Sequence, residues 1–317
     1  MRLIVLAACV LLAVTGCASA QAGRAPGATK DGKQGGSPVY GPVPRPQPQL
    51  TPHLGNICLP ATGFSCTMWD RISQVKRYLA SQPGQVGVAL HDRDTGASWV
   101  SKDGDTDFPA ASTIKLALVT DLMRRANTGR LPLGPGDWEM INQILYDSDD
   151  AAGDTLWSAY EDPGFLARIK RFGMRTAYYS SSTPYWGFMY CSAHDLDSLM
   201  NYVLDRLPAH DSRYIVHRMR RVGPIERWGV WGAGRASHPG NKDGWENEGS
   251  VWITNTVGFA GPHAEYTLAI MDNLAGAGGF HQGSTTLNEI ASLLFQGHLT
   301  PAPTAEATPE VGEPTPY

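Results

Sequence analysis

An α+β domain, with one antiparallel sheet assembled from both ends of the chain and a helical part inserted between them, is the fold class this sequence predicts. Three observations carry it. Residues 85–100 alternate apolar and polar positions about a turn, the middle of the chain spaces its apolar residues by three and four, and residues 249–273 return to alternation before a last helix.

Each element has its own signal. Met68–Ala80 has helical periodicity and is stopped by Pro83-Gly84. Val86, Val88 and Leu90 alternate, Asp94-Thr95-Gly96 makes a turn, and Trp99-Val100 returns, which predicts a hairpin. Pro109 closes an extended lead-in; a helix is expected from Ser112-Thr113 to about Ala126, ended by Asn127-Thr128-Gly129. From Asp137 to about Leu207 four stretches read as helices, so the helical part is placed at about 127–222. Residues 249–261 and 264–273 read as a second antiparallel pair, and residues 285–295 as the closing helix.

The chain has 317 residues, of which 42% are hydrophobic and 18% charged, enough for an ordinary globular core. A net charge of -4 speaks against a nucleic-acid partner. Both ends depart from this average. Leu3–Val14 is an apolar run too short to span a bilayer but suited to a secretory signal. Residues 18–52 and the tail 300–317 are rich in proline, glycine and small polar residues, which bury too little surface to offset their ordering entropy. The expected organisation is a signal peptide at 1–16, a tether at 17–54, a folded domain at 55–299 and a proline-rich tail at 300–317.

Val14-Thr15-Gly16-Cys17 resembles a bacterial lipobox, in which the cysteine is acylated, by palmitate among other chains, and becomes the mature N-terminus. That implies an exported protein whose membrane partner is reached through lipid at Cys17, on the outer face of the cytoplasmic membrane. Cys58 and Cys66 lie close in sequence in an oxidising compartment and are the favoured disulfide; other pairings with Cys191 stay open. No metal or cofactor is expected: Asp103, Asp105 and Asp107 lack the glycine and glutamate of a calcium loop, and the nine histidines have no zinc spacing.

Three stretches carry candidate chemistry. Ser112 and Lys115 stand three apart at a predicted helix start, where orphan N–H groups favour an oxyanion and the lysine reaches the hydroxyl. The bland alternative is an N-capping serine. A second Ser-x-x-Lys, Ser73 to Lys76, lies inside the first helix with nothing to set it apart. Tyr146-Asp147-Ser148-Asp149-Asp150 joins two helices, and Lys242-Asp243-Gly244-Trp245 opens the later strands.

In order, spacing and the hairpin before the serine, residues 85–295 resemble the class A β-lactamases and penicillin-binding proteins, whose motifs are Ser-x-x-Lys, Ser-Asp-Asn and Lys-Thr-Gly. The tether and lipobox are similar to those of actinobacterial cell-envelope lipoproteins with such a domain. The resemblance implies the β-lactamase/transpeptidase fold, an antiparallel sheet flanked by helices plus an all-helical subdomain. It also implies an acyl-enzyme at Ser112 with Lys115 as base, Ser148 as proton relay, and Lys242 binding a substrate carboxylate or tuning Ser148. The N–H groups of Ser112 and Trp245 would form the oxyanion hole, and Gly244 would leave room for substrate along the strand.

Three positions depart from that pattern. Asp150 replaces the asparagine of the second motif, and Asp243 replaces a hydroxyl residue that helps hold a carboxylate. Residues 163–194 contain no Asp, Glu, Asn or Gln to activate a deacylating water, and general-base help is worth roughly 10² to 10⁴ in rate. The expectation is a serine hydrolase, β-lactamase-like or D-Ala-D-Ala carboxypeptidase-like. It would act on a small-molecule or peptide substrate of the envelope with weak or no β-lactam turnover. The alternative is an inactive relative that binds an envelope ligand or partner. Asp150 and Asp243 together predict a preference for a cationic group where penicillins carry an anion.

Overall fold

The structure is a computed structural model and describes residues 63–161 and 163–299. The lipobox with Cys17, the tether, the tail and Cys58 lie outside the described residues. Cys66 is disulfide-bonded, and Cys191 is a free, buried thiol.

Helix α1 (Cys66–Leu79) begins where the Ser65 hydroxyl accepts the Met68 N–H, and buries Met68, Ile72 and Val75 along one stripe. Strand β1 (Gln85–Asp92) pairs antiparallel with β2 (Ser98–Val100). Between them Asp92 accepts the N–H groups of Asp94 and Thr95 at 3.0 and 3.1 Å, and Gly96 supplies φ +74°. Three later strands, β6 (Gly240–Glu248), β7 (Val251–Ala260) and β8 (Tyr266–Asn273), complete a five-stranded sheet of order β2-β1-β8-β7-β6. Strand β8 pairs with β1 from Gln85↔Asn273 to Asp92↔Tyr266, so the two ends of the domain meet in the sheet's interior.

Both faces of the sheet are covered. Val88, Leu90, Leu268 and Ile270 pack with α1 and the last helix α8 (Phe280–Phe295); Ala89, Val257, Phe259, Ala269 and Met271 pack with the helical part. Helix α2 (Lys115–Asn127) is the centre of that second core, buried from Lys115 to Met123. Around it lie α3 (Pro135–Asp147), α4 (Asp150–Tyr160), α5 (Phe165–Arg171), α6 (Ala193–Asp205) and α7 (Ala209–Met219).

Two features differ from the sequence reading. A second, three-stranded sheet exists, of order β3-β5-β4, from β3 (Phe108–Pro109), β4 (Tyr178–Tyr179) and β5 (Met189–Cys191). Helix α8 starts at Phe280, five residues before the expected Thr285; in the added turn Gly283 lies against Thr254 of β7, where an added Cβ would come within 2.3 Å of its hydroxyl. The small sheet leads into the candidate site, since β3 runs directly into the segment that carries Ser112.

Candidate active site

Ser112 does not cap a helix. It lies inside a short 3-10 turn, Ala111–Ile114, that runs into α2, and no side chain caps that turn. Ala111 before it adopts φ +47°, a left-handed conformation that costs a non-glycine residue about 1–3 kcal/mol. Neighbours hold the turn in place. The Ala110 N–H donates to Met189 of β5 at 2.8 Å, Thr113 donates its hydroxyl to the Ala110 carbonyl at 2.5 Å, and the Asn255 amide donates to the carbonyls of Pro109 and Ala110 at 2.8 and 3.1 Å. Thr113 and Asn255 are thus positioning residues that the motif reading missed. Among the described residues the Ser112 hydroxyl makes no hydrogen bond, and it is half-buried at the surface of the site.

Edge strand β6 passes directly over this turn. A Cβ on Gly244 would stand 2.7 Å from the Ser112 nitrogen and 2.6 Å from that of Thr113, so only glycine permits the approach. Strand alternation then sorts the rest of β6. Lys242, Gly244, Glu246 and Glu248 share the face turned to Ser112, whereas Asn241, Asp243 and Trp245 share the opposite one. The Asp243 N–H points off the open edge to Glu226, and the Trp245 N–H, two residues on, has the same direction.

The second motif sits at the junction of α3 and α4. Ser148 takes φ +64° and Asp149 caps α4 through the Ala152 N–H, a geometry that turns the Ser148 hydroxyl and carbonyl toward the two lysines. Lys242 donates to the Ser148 hydroxyl at 2.7 Å; Lys115 donates to the Ser148 carbonyl at 2.8 Å. Three stretches far apart in sequence therefore meet at one residue.

Lys115 is wholly buried, and burial, with the nearby Lys242 charge, pulls its pKa down from 10.5 to about 8; the Asp150 carboxylate that it contacts opposes this. The Trp186 ring lies 4.5 Å from its ammonium. That ring is fixed by the Asp154 carboxylate, which accepts from Trp186 at 2.9 Å and from Tyr185 at 2.6 Å. The aromatic segment 178–190 thus packs the domain and also reaches the site through Trp186.

Asp150 and Asp243, expected to act alike, are placed very differently. Asp150 leaves 74% of its side chain exposed beside Lys115. Asp243 corrects the expectation: it is completely buried on the far face of β6, and burial together with Glu226 holds its carboxyl well above the usual carboxylate range. It presents no charge to a ligand at Ser112. Glu226, which no motif indicated, is the acid that matters there; it is wholly buried and pairs with Lys242 at 3.0 Å.

The architecture is shared with known enzymes. The β-lactamase of Sphaerobacter thermophilus superimposes with a TM-score of 0.59 at 17% identity, over 71% of this chain and 95% of that one. An ancestral class A β-lactamase gives 0.58 at 16% over 71% and 98%, and the protein PBP-A gives 0.57 at 17% over 72% and 95%. Residues 70–134, which contain Ser112 and Lys115, match the model of the β-lactamase enzyme family, Beta-lactamase2. The "Putative lipoprotein LppW" of Mycobacterium tuberculosis and that of Mycobacterium bovis are 28% identical over 233 residues, 70% of this chain and 73% of theirs. The chain thus has the β-lactamase fold, its segment bearing Ser112 is similar to the β-lactamase enzyme family, and over most of its length it is similar to the LppW lipoproteins.

Proposed function

We propose that this protein is an exported, lipid-anchored serine hydrolase that works through an acyl-enzyme at Ser112 and turns over β-lactams weakly or not at all. The observation that carries the reading is the convergence on Ser148 of two buried lysines, one of them with a pKa lowered to about 8. Such a lysine is neutral in a useful fraction of molecules near neutral pH, which a general base for a serine hydroxyl requires. The proton of Ser112 passes to Lys115 as the hydroxyl oxygen bonds the substrate carbonyl carbon. The N–H groups of Ser112 and Trp245 receive the oxyanion; as it collapses, the bond from the carbonyl carbon to the leaving group breaks, and Ser148 gives its proton to that group while taking the one held by Lys115.

Deacylation is the weak step. Where a carboxylate would activate water, this chain offers Trp186 against Lys115, and its Asp154 partner is committed to Trp186 and Tyr185. Slow hydrolysis of the acyl-enzyme follows. Anchoring rests on the apolar run before Cys17 and on the name of the LppW relatives.

Labelling with an uncharged fluorophosphonate and, separately, a fluorescent penicillin, read by intact mass with Ser112→Ala as control, tests the chemistry. Labelling by the first alone supports an altered substrate, and stable labelling by both supports a penicillin-binding enzyme. Labelling by neither favours a second reading, a ligand-binding relative disarmed by the Asp150–Lys115 contact. A Cys17→Ala variant that stays in the membrane fraction would count against lipidation.

A further inference from the structure

The ligand's charge can be read from the hydrogen bonds of Lys242. In a site of this kind Lys242 is the cation available to hold a substrate carboxylate, and an ammonium group has three protons to donate. Here all three are taken. Lys242 donates to the Ser148 hydroxyl at 2.7 Å, to the Asp243 carbonyl at 2.8 Å and to the Glu226 carboxylate at 3.0 Å. Neither Lys242 nor Glu226 exposes any surface, so no water-filled gap separates them from their partners. The other Glu226 oxygen accepts the Asp243 N–H at 2.8 Å, which anchors the acid to the open edge of β6.

We infer that Glu226 is a specificity-determining residue: by occupying both the charge and the last free proton of Lys242, it abolishes the carboxylate clamp and restricts the site to neutral or cationic amides and esters. The remaining charges agree. Beyond Gly244, the residues of β6 on the Ser112 face are Glu246 and Glu248. Glu246 has its carboxyl raised to about 7 by burial and by Glu248, so a cationic group placed there relieves an unfavourable ionisation. A ligand anion meets the opposite: carboxylates on β6 and a lysine already paired.

The inference rests on the acyl-enzyme reading, and one experiment separates their failures. Three aryl esters of one acyl group, bearing a carboxylate, a carboxamide or an ammonium group at the same place, are compared for the rate of Ser112 acylation by intact mass. The wild-type protein is expected to react with the neutral and cationic esters at least tenfold faster than with the carboxylate. In Glu226→Gln, which keeps an acceptor for the Asp243 N–H but removes the charge, the carboxylate ester should gain at least fivefold relative to the neutral one. A purely structural role changes all three rates by one factor and leaves that ratio alone.

A wild-type preference for the carboxylate ester, or a folded Glu226→Gln protein with an unchanged ratio, overturns the inference. Should the Gln variant fail to fold, Lys242→Met replaces it. Equal loss for all three esters is then expected, and selective loss for the carboxylate overturns the inference. No acylation of Ser112 by any of the three overturns the acyl-enzyme reading itself, and the inference falls with it.

Discussion

Replacing Asp150 by asparagine should make Ser112 more reactive at neutral pH. Lys115 sits at a pKa of about 8 because burial and Lys242 lower it while Asp150 raises it. With a pKa of about 8, about 10% of the lysine is neutral at pH 7. An adjacent opposite charge shifts a pKa by about 1–3 units. Because 74% of the Asp150 side chain is exposed, solvent screens the contact and the low end of that range applies. Removing the charge then brings Lys115 to about 7 and its neutral fraction at pH 7 to about 50%, a rate gain of about fivefold. Above about pH 9 the lysine is neutral in both proteins and the gain vanishes. Time courses of labelling by an uncharged fluorophosphonate from pH 6 to 10, followed by intact mass, measure this. Coincident pH midpoints for the two proteins, or a slower Asp150→Asn at pH 7, would refute the assignment of Lys115 as base.

Two further outcomes follow from the geometry. Gly244→Ala places a methyl group 2.7 Å from the Ser112 nitrogen, so Ser112 labelling should fall by at least about a hundredfold as the oxyanion pocket is displaced; unchanged labelling with an unchanged melting temperature contradicts the close approach. Asp272, buried on β8, has its carboxyl raised by burial to about 7. In the unfolded chain it ionises near its ordinary value of about 4, so the folded state holds the extra proton between those values. Stability is therefore fully present below about pH 4, falls as pH rises to about 7 and is flat above, by a few kcal/mol at most. Denaturant unfolding at pH 5 and pH 8 should show a smaller pH difference for Asp272→Asn than for the wild type, and equal differences would discount the shift.

The sequence was most readable where a residue's neighbours along the chain determine its place. Alternation through Val86, Val88 and Leu90 and the Asp94-Thr95-Gly96 turn give the β1–β2 hairpin because strand period and turn chemistry are local. The small sheet was not readable. Its strands Phe108–Pro109 and Tyr178–Tyr179 have two residues each, too few to show a period, and the pairing of the first with Met189–Cys191 joins segments some eighty residues apart. Motif matching fixed Asp243 in register but not in facing. The same alternation that turns Lys242 and Gly244 toward Ser112 turns Asp243 away, a signal present in the sequence that a one-to-one motif comparison overlooks. Glu226 had no such signal. It lies in a connection sixteen positions before Lys242, and only the folded chain brings the two together at 3.0 Å.

The pairing of β1 with β8 also sets an order of events during synthesis. These strands are roughly 180 residues apart, and a chain growing at roughly 5–20 residues per second needs roughly ten to forty seconds to make the second after the first. Until then β1 lacks the neighbour that fills its long edge, and its apolar residues have only α1 and the short β2 to lean on. A protein so arranged cannot complete its main sheet while most of its length is still emerging. Folding then closes the largest loop last, and the Ser112 site is assembled in the same step, since β6, β7 and β8 all arrive from the final third of the domain.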